Sequence, residues 1–244
     1  MTNSSLIIAD LHLSPERPDI TSCFCQFLVD SKNKHDSLYI LGDLFEAWIG
    51  DDDISPFTNT IANVIAEFAE STPVYFIHGN RDFLLGKRFA KKAKMTLLPQ
   101  QHRITGYGYN ILFMHGDQLC TDDIPYQKFR RKSRTWWWKF LIQCLPLKQR
   151  RLKAENYRKI SVAQQKHKSS DIMDVNPTTV DAVMASENVD LLIHGHTHRP
   201  EIHSLPNNKI RAVVGDWYTQ GSVLTLSHQQ LALSCISFNA KNGI

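Results

Sequence analysis

The chain has 244 residues, is 42% hydrophobic and 21% charged, and carries a formal net charge of +4. This length suffices for one hydrophobic core plus an insertion, and the composition is typical of soluble globular proteins. The first residues lack the basic start and long apolar stretch of a secretory signal, and no window approaches the roughly 20 apolar residues of a membrane span. The five cysteines form no CxxC pair, so we expect reduced thiols in a cytosolic protein.

Five apolar runs predict five buried strands, each closed by glycine or polar residues. In chain order they cover 5–9, 38–41, 74–77, 111–114 and 191–193. Short apolar runs bounded by turn residues are typical of strands buried in a sheet. Apolar residues at helical spacing predict a helix over 55–69 and a shorter one over 83–93. Strands that alternate with helices indicate a layered α/β domain.

The end of the chain follows a different pattern. Segments 211–214 and 222–226, with glycines between them, predict strands of a hairpin or of a second sheet, and 231–238 predicts another strand. We therefore expect an α/β fold in which two sheets stack on each other and helices flank them.

Residues 118–176 interrupt this alternation. They contain no glycine and mix bulky apolar residues with bases: 14 of the chain's 28 Lys and Arg lie between Lys128 and Lys168, with one acid, Glu155. This imbalance indicates an anionic partner. We predict a helical insertion or cap over 118–176, between a first core part over 1–117 and a second over 177–244.

Candidate metal ligands follow each of the five predicted strands. They are Asp10, His12, Asp43, Asn80, His115, His196 and His198. In open α/β sheets, sites form outside the carboxyl ends of the strands, so these side chains should converge. Two carboxylates, one amide and four imidazoles, without a thiolate, favour divalent Mn, Fe, Zn or Co over a structural zinc finger. Seven ligands fit two metals if one carboxylate bridges, which predicts phosphoester or diphosphate hydrolysis.

The motifs Asp10-x-His12, Gly42-Asp43, Gly79-Asn80, His115 and Gly195-His196-x-His198 resemble those of the calcineurin-like metallophosphoesterases. The resemblance implies a four-layer β-sandwich flanked by helices. It also implies one metal held by Asp10, His12, Asp43 and His198. A second metal would be held by Asp43, Asn80, His115 and His196. Asp43 would then bridge the two, and a hydroxide between them would be the nucleophile.

One position departs from the general family pattern. Arg81 stands where that family usually has a histidine that assists the leaving group. Arginine stays protonated and cannot act as a general acid, but it can bind phosphate through two hydrogen bonds. A phosphate leaving group needs no proton, so we hypothesise a diphosphate substrate cleaved between its phosphorus atoms. The alternative is that Arg81 only forms a salt bridge with Asp82.

Longer blocks are similar to the UDP-2,3-diacylglucosamine diphosphatases of lipid A synthesis in Gram-negative bacteria. They span 42–52, 78–83, 115–123, 172–176 and 194–200. The resemblance implies attack of water on the UMP-side phosphorus, giving UMP and 2,3-diacylglucosamine 1-phosphate, with two Mn²⁺ ions as cofactor. The implied catalytic residues are Asp43, Asn80, Arg81 and His196. The implied substrate contacts are Asn80, Arg81, Asp123, Ser161, Gln165, Lys168 and His196.

The same resemblance implies a peripheral enzyme on the cytoplasmic face of the inner membrane, acting on a nucleotide-lipid. It implies no nucleic-acid partner and no obligate protein partner. The segment 216–218 departs from some relatives, which leaves the role of its loop open. The acidic triplet 51–53 is interpreted as a solvated turn and helix cap, not as a metal cluster.

Other interpretations of the residues stay open. The basic, aromatic insertion could lie in a membrane interface, bind nucleic acid, or pack as a cap on its own domain. Because a helix points successive residues in different directions, Trp136, Trp137 and Trp138 cannot all be buried on one side, so some should be exposed or line an apolar groove. The chain could also be a nucleic-acid or cyclic-nucleotide phosphodiesterase, or a scaffold that keeps the fold without metals.

Overall fold

The computed structural model describes residues 3–165 and 174–238, with the backbone alone for 161–165. The first half contains strands β1 (Ser4–Ile8), β2 (Ser37–Ile40), β3 (Val74–Phe76), β4 (Met95–Leu97), β5 (Gln101–Gly106) and β6 (Tyr109–Met114), with helices α1 (Pro18–Ser31), α2 (Pro56–Phe68) and α3 (Lys87–Lys92). Helices α4 (Ile124–Ser133), α5 (Trp136–Gln143), α6 (Leu147–Gln165) and α7 (Pro177–Ser186) follow. Strands β7 (Leu191–His194), β8 (Glu201–Leu205), β9 (Lys209–Val213), β10 (Gln220–Ser227) and β11 (Gln230–Ser237) complete the fold.

The strands form two mixed sheets. The first has the order β11-β10-β1-β2-β3-β4, in which β1 to β4 run parallel and the β10–β11 hairpin joins antiparallel at β1. The second has the order β5-β6-β7-β9-β8, with β6, β7 and β9 parallel between two antiparallel edge strands. A hairpin between β9 and β10, one of the two alternatives from the sequence, is wrong because these strands belong to different sheets.

Alternate residues of the central strands show how the layers are built. On β1, Leu6 and Ile8 pack with helices α1 and α2, whereas Ile7 packs against the second sheet. On β6, Phe113 lies between the sheets and Leu112 packs with α7. Side chains of a strand alternate between its two faces, so both faces of each sheet are covered. The prediction of two stacked sheets flanked by helices is confirmed, and its four layers run helix, sheet, sheet, helix.

Helix α3 is shorter than the sequence indicates. The prediction began at residue 83, but the helix begins at Lys87 because the Asp51 carboxylate accepts hydrogen bonds from the backbone N–H groups of Gly86, Arg88 and Phe89 at 2.7, 2.9 and 3.1 Å. A carboxylate that satisfies the free amides at a helix start defines where the helix begins. Of the triplet 51–53, interpreted as a solvated turn and helix cap, Asp51 thus binds the start of α3, whereas Asp52 and Asp53 pair with Arg150 and Arg151.

Helices α4, α5 and α6 are here called the cap helices, and arginines join α4 and α6 to the core. Arg150 at the start of α6 is 4% exposed and donates to the Ile49 carbonyl at 2.8 Å and to the Asp52 carboxylate. Arg130 on α4 pairs with the buried Asp117 at 2.7 Å. A paired, hydrogen-bonded arginine can stay charged in a buried position, so these contacts fix the cap helices on the core. The predicted boundaries of the insertion, 118 and 176, remain a proposal.

The cap helices present aromatic residues to solvent. Trp136 is 81% exposed and Trp137 42%, while Trp138 lies inward against Phe83 and Phe129. The expectation that the three tryptophans divide between exposed and packed positions is confirmed. Among the described helices, none is long and apolar enough to cross a membrane.

Candidate metal centre

The seven predicted ligands lie in the loops that follow β1, β2, β3, β6 and β7. Five of them have left-handed backbones, with φ of 55° at Asp10, 51° at His12, 52° at Asp43, 71° at His196 and 57° at His198. Such φ values are uncommon outside glycine and persist only where the surroundings enforce them. Each sharp bend at a strand end turns a side chain toward the same space. The structure thus brings these side chains together in conformations that an isolated chain would avoid.

A first group consists of Asp10, His12 and His198, whose candidate ligand atoms all lie within 4.8 Å of one another. Asp10 Oδ2 accepts a hydrogen bond from the His196 backbone N–H at 2.7 Å, while Asp10 Oδ1 lies 3.5 Å from His198 Nε2. Asp10 Oδ1 and both ring nitrogens of His12 are buried without a hydrogen-bond partner among the described residues. Buried polar atoms are normally satisfied, so this pair fits a divalent cation that would complete their coordination.

A second group consists of Asp10, Asp43 and His115, also within 4.8 Å. His115 Nδ1 lies 2.7 Å from the Leu41 carbonyl, to which it donates, and this contact aims Nε2 at Asn80 Oδ1, 3.0 Å away. Burial lowers the pKa of His115, but the charges of the surrounding carboxylates, Asp43 first, outweigh it and raise that pKa. The donor set fits a metal here as well.

Asp43 belongs to the second group and also lies close to His12 of the first, while Asp10 belongs to both. Asp43 Oδ2 is 3.9 Å from His12 Nε2 and 3.9 Å from His115 Nε2, and its Oδ1 accepts the Arg81 backbone N–H at 2.7 Å. One carboxylate oxygen is thus equidistant from an imidazole of each group. This is the placement that a bridging ligand needs, although the ligand roles of all seven residues remain predictions.

Gly79 lies so close to the Asp43 carboxylate that only a glycine fits at this position. A Cβ on Gly79 would lie 2.1 Å from Asp43 Oδ1, so no other residue fits without moving the carboxylate. The buried Asp82 accepts from the Gly79 N–H and the Leu44 N–H at 2.8 Å each, which joins the loops after β2 and β3. Burial, and then the charge of Asp43, raise the pKa of Asp82 to about 7.

Arg81 points at Glu46, not at Asp82. Its Nη1 lies 3.9 Å from Glu46 Oε1, and its Nε is buried without a hydrogen-bond partner. Both oxygens of Asp82 accept backbone amides instead. The alternative of an Arg81–Asp82 salt bridge is therefore wrong, and the guanidinium keeps donor capacity beside the metal groups.

The remaining predicted substrate contacts are placed differently. Asp123 caps helix α4, where its carboxylate accepts the Tyr126 N–H at 3.2 Å. The side chains of Ser161 and Gln165, and all of Lys168, lie outside the described residues. His196 packs against the rings of His115 and Tyr126. Burial, then the charge of His115, lower the pKa of His196 to about 3, so its imidazole is neutral and able to bind a metal.

Three residues at the centre were missed by the sequence analysis. Asp216 Oδ2 lies 3.3 Å from His198 Nδ1, and the Tyr218 ring stacks on His12 with centroids 5.0 Å apart. Glu46 Oε2 lies 3.1 Å from His12 Nδ1. Asp216 and Glu46 lie at the ring nitrogen that faces away from the metal groups, as partners that orient metal-binding histidines do, and Tyr218 covers a ring face. For Asp216 and Tyr218, the sequence analysis noted only that segment 216–218 departs from some relatives.

The metal-free protein should lose stability as pH rises from about 6.5 to 9. Burial lowers the pKa of His198, but Asp10, then Asp216, outweigh it and raise the value to about 9. A folded pKa above the ordinary 6.5 favours the folded state below that pH, and the gain disappears as pH passes the folded pKa. In chelator, thermal melts should shift downward over this window, and His198→Asn should flatten the slope. If the melting temperature of His198→Asn depended on pH as strongly as that of the wild type, His198 would not be the source of the pH dependence.

Comparison with known proteins agrees with this geometry. The calcineurin-like phosphoesterase family model matches residues 4–200. Proteins of Shewanella loihica and Shewanella piezotolerans, both named UDP-2,3-diacylglucosamine hydrolase, are 49% and 47% identical to this chain. They cover 97% and 96% of it, and 98% of their own lengths are matched.

Solved structures of low sequence identity share the fold. An archaeal phosphodiesterase matches with a TM-score of 0.50 at 12% identity, over 96% of this chain and 99% of its own. Vacuolar Protein Sorting 29 from Cryptosporidium parvum matches with a TM-score of 0.50 at 14% identity, over 97% and 98%. The extent of the family match, together with the near-complete coverage by relatives close to half identical, shows that the chain belongs to the calcineurin-like phosphoesterases.

Proposed function

We propose that this protein hydrolyses the diphosphate of UDP-2,3-diacylglucosamine, giving UMP and 2,3-diacylglucosamine 1-phosphate for lipid A synthesis. The observation that carries the proposal is the near-complete match, at 49% identity, to a relative named for this substrate. The convergence of Asp, Asn and His side chains at one edge of the fold supports a hydrolytic centre of the required kind. Arg81, in place of a proton-donating histidine, suits a phosphate leaving group.

We further propose that the centre binds two Mn²⁺ ions. One would take Asp10, His12, Asp43 and His198, and the other Asp43, Asn80, His115 and His196. Divalent cations bound there would activate water and neutralise charge on the phosphate oxygens. Hard oxygen donors combined with imidazoles and no thiolate suit Mn²⁺.

The side chains around the centre have separate tasks in this proposal. Asn80 and His196 would contact both a metal and a phosphate oxygen. The Arg81 guanidinium would bind the diphosphate, since its Nε has no hydrogen-bond partner within the described structure. The fixed orientation of these donors supplies positioning and charge stabilisation, which dominate catalysis of phosphoryl transfer. Asp123, Ser161, Gln165 and Lys168 remain proposed contacts to the rest of the substrate.

The reaction site on the substrate can be tested with labelled water. Hydrolysis in oxygen-18 water with Mn²⁺ is expected to place the label in UMP, because the proposal puts attack on the UMP-side phosphorus. Mass spectrometry of both products measures this. Label in the sugar phosphate would refute the side of attack, and failure to cleave this substrate, with turnover of an oligonucleotide or cyclic nucleotide, would refute the proposed function.

A lipid-linked substrate requires contact with a membrane surface, and we propose that the cap helices make it. Trp136, Phe140 and Leu141 on α5 are 81, 61 and 56% exposed, and α4 carries Arg131 and Lys132 in its last turn. Exposed aromatic and aliphatic residues beside bases are typical of interfacial helices. The cytoplasmic face of the inner membrane is the proposed location.

Replacing Trp136 and Phe140 together by serine should weaken binding to anionic phospholipid vesicles. Loss of two exposed aromatic side chains removes ~3 kcal/mol of burial in the interface at most, or about 100-fold in partition. Vesicle sedimentation measures the partition. Hydrolysis of a short-chain, water-soluble analogue serves as the control and should not change. If the double variant bound vesicles as the wild type does, the proposed membrane contact of α5 would be refuted.

A further inference from the structure

We propose that Glu46 is a positioning residue that connects the metal-binding histidine His12 to cap helix α6 through one carboxylate. The inference rests on the proposed function only in taking His12 as a metal ligand. It adds a structural link between the metal centre and the helices expected to cover the substrate.

The first oxygen of Glu46 defines the orientation of His12. Oε2 lies 3.1 Å from His12 Nδ1, a close contact that lacks hydrogen-bond geometry, and Nε2 faces Asp43 Oδ2, 3.9 Å away. The His12 backbone N–H donates to the Asp43 carbonyl at 2.9 Å, and Tyr218 stacks on the ring at an interplanar angle of 11°. Among the described residues, Glu46 provides the carboxylate that lies at the nitrogen facing away from the metal groups. A carboxylate in this position fixes the tautomer and increases the basicity of the ligating nitrogen.

The second oxygen of Glu46 reaches the cap. Oε1 lies 3.0 Å from Nη2 of Arg158 on α6 and 3.9 Å from Nη1 of Arg81. The Glu46 side chain is 12% exposed, whereas Arg158 is 57% exposed. One carboxylate thus lies against a candidate metal ligand with one oxygen and against a cap helix with the other.

This arrangement makes two separable predictions for the two sides of Glu46. Removing Glu46 should free His12 to rotate and also release Arg158. Removing Arg158 should release α6 at this point while Glu46 still holds His12. Metal affinity should therefore depend on Glu46 much more than on Arg158, and substrate affinity on both.

The chain offers a matched control on the same helix. Arg151, also on α6, pairs with Asp53 in the loop that carries Glu46, and it is 59% exposed. That pair joins helix and core without touching a candidate metal ligand. Arg151→Met therefore removes a similar ion pair of α6 but leaves the proposed link intact.

The experiment measures Mn²⁺ binding to the full chain by electron paramagnetic resonance, without substrate, and steady-state hydrolysis separately. Glu46→Ala should weaken binding of Mn²⁺ by about 10–100-fold. Glu46→Gln should recover much of this loss, because its amide oxygen can still accept from His12. Arg158→Met should raise KM and leave Mn²⁺ affinity near that of the wild type, and Arg151→Met should change neither.

In the double variant of Glu46→Ala with Arg158→Met, the KM effects should not add, because Glu46→Ala has already released Arg158. A Glu46→Ala protein that shows native near-ultraviolet circular dichroism and binds Mn²⁺ as the wild type does would overturn the proposal. So would equal effects of Arg151→Met and Arg158→Met on KM. If the wild type binds Mn²⁺ but does not cleave the nucleotide-lipid, the proposed function fails and the Glu46 link stands.

Discussion

Replacing Asp43 with asparagine is expected to lower kcat by about 1,000-fold or more, equivalent to ~4 kcal/mol of transition-state stabilisation. Asp43 Oδ2 is 3.9 Å from an imidazole nitrogen of each ligand group, and the proposal assigns this carboxylate to both metals. An amide carries no charge and bridges cations poorly. The loss should therefore affect both metals at once, unlike a change at a residue that contacts only one group.

Asparagine is a better replacement than alanine because of the backbone. Asp43 has φ of 52°, a conformation that asparagine tolerates and that adds about 1–2 kcal/mol of strain for alanine. The asparagine carbonyl oxygen can also keep the hydrogen bond from the Arg81 N–H, now 2.7 Å long at Oδ1. The fold is thus expected to remain while the bridging charge is lost.

Steady-state hydrolysis at saturating Mn²⁺, with melting temperature and near-ultraviolet circular dichroism, checks this expectation. Asp53→Asn is the matched control: it removes a carboxylate of the same stretch that pairs with Arg151, away from the ligand groups, and should leave kcat nearly unchanged. A folded Asp43→Asn protein with wild-type kcat would refute the proposed role of Asp43 in the metal centre.

The sequence predicts the strands that carry the site because each is a buried apolar run. Predicted strands 5–9 and 38–41 are observed as Ser4–Ile8 and Ser37–Ile40, and 191–193 as Leu191–His194. The carboxyl ends of parallel strands meet at one edge, and so the residues after them converge. Both the layered fold and the gathering of Asp10, Asp43 and His115 could be predicted for this reason.

Short or half-exposed strands could not be found in the same way. Met95–Leu97 has only three residues, and Gln101–Gly106 alternates between partly buried and exposed residues at a sheet edge. Neither contains an apolar run, and each pairs along its whole length with a neighbouring strand. Periodicity cannot detect strands that depend on their partners.

The contacts that orient the ligands were also beyond the sequence. Glu46 reaches His12 and Arg158, which lie 34 residues before it and 112 after it in the chain. The left-handed backbones at Asp10 and His198 could not be read from the sequence either, because Asp and His adopt such φ values more often than most residues but far less regularly than glycine. These features arise from tertiary packing, which overrides local preference.

Replacing Arg81 with lysine is expected to lower kcat/KM for the diphosphate substrate by about 100-fold, or ~3 kcal/mol. The guanidinium is 20% exposed, its Nε has no hydrogen-bond partner in the described structure, and its Nη1 is 3.9 Å from Glu46. It can therefore turn a planar pair of donors toward a phosphate. Lysine keeps the charge but binds as a single point, so it loses the paired hydrogen bonds that orient the diphosphate.

Arg88→Lys is the control for the change of side chain, because Arg88 lies on the exposed surface of α3 and engages Asp51 through its backbone N–H. It should leave kcat/KM unchanged. Equal values for Arg81→Lys and the wild type would show that the guanidinium geometry does not bind the diphosphate.

Arg81→His tests the chemical reason for the arginine more directly. A histidine can protonate an alkoxide, whereas a phosphate leaving group needs no proton. The variant should thus lose activity toward the diphosphate diester and lose less, or gain, toward an alkyl phosphomonoester, so that the ratio of the two kcat/KM values shifts toward the alkyl ester. An unchanged ratio would mean that the arginine does not select the leaving group, and substrate choice would then have to arise from the cap helices alone.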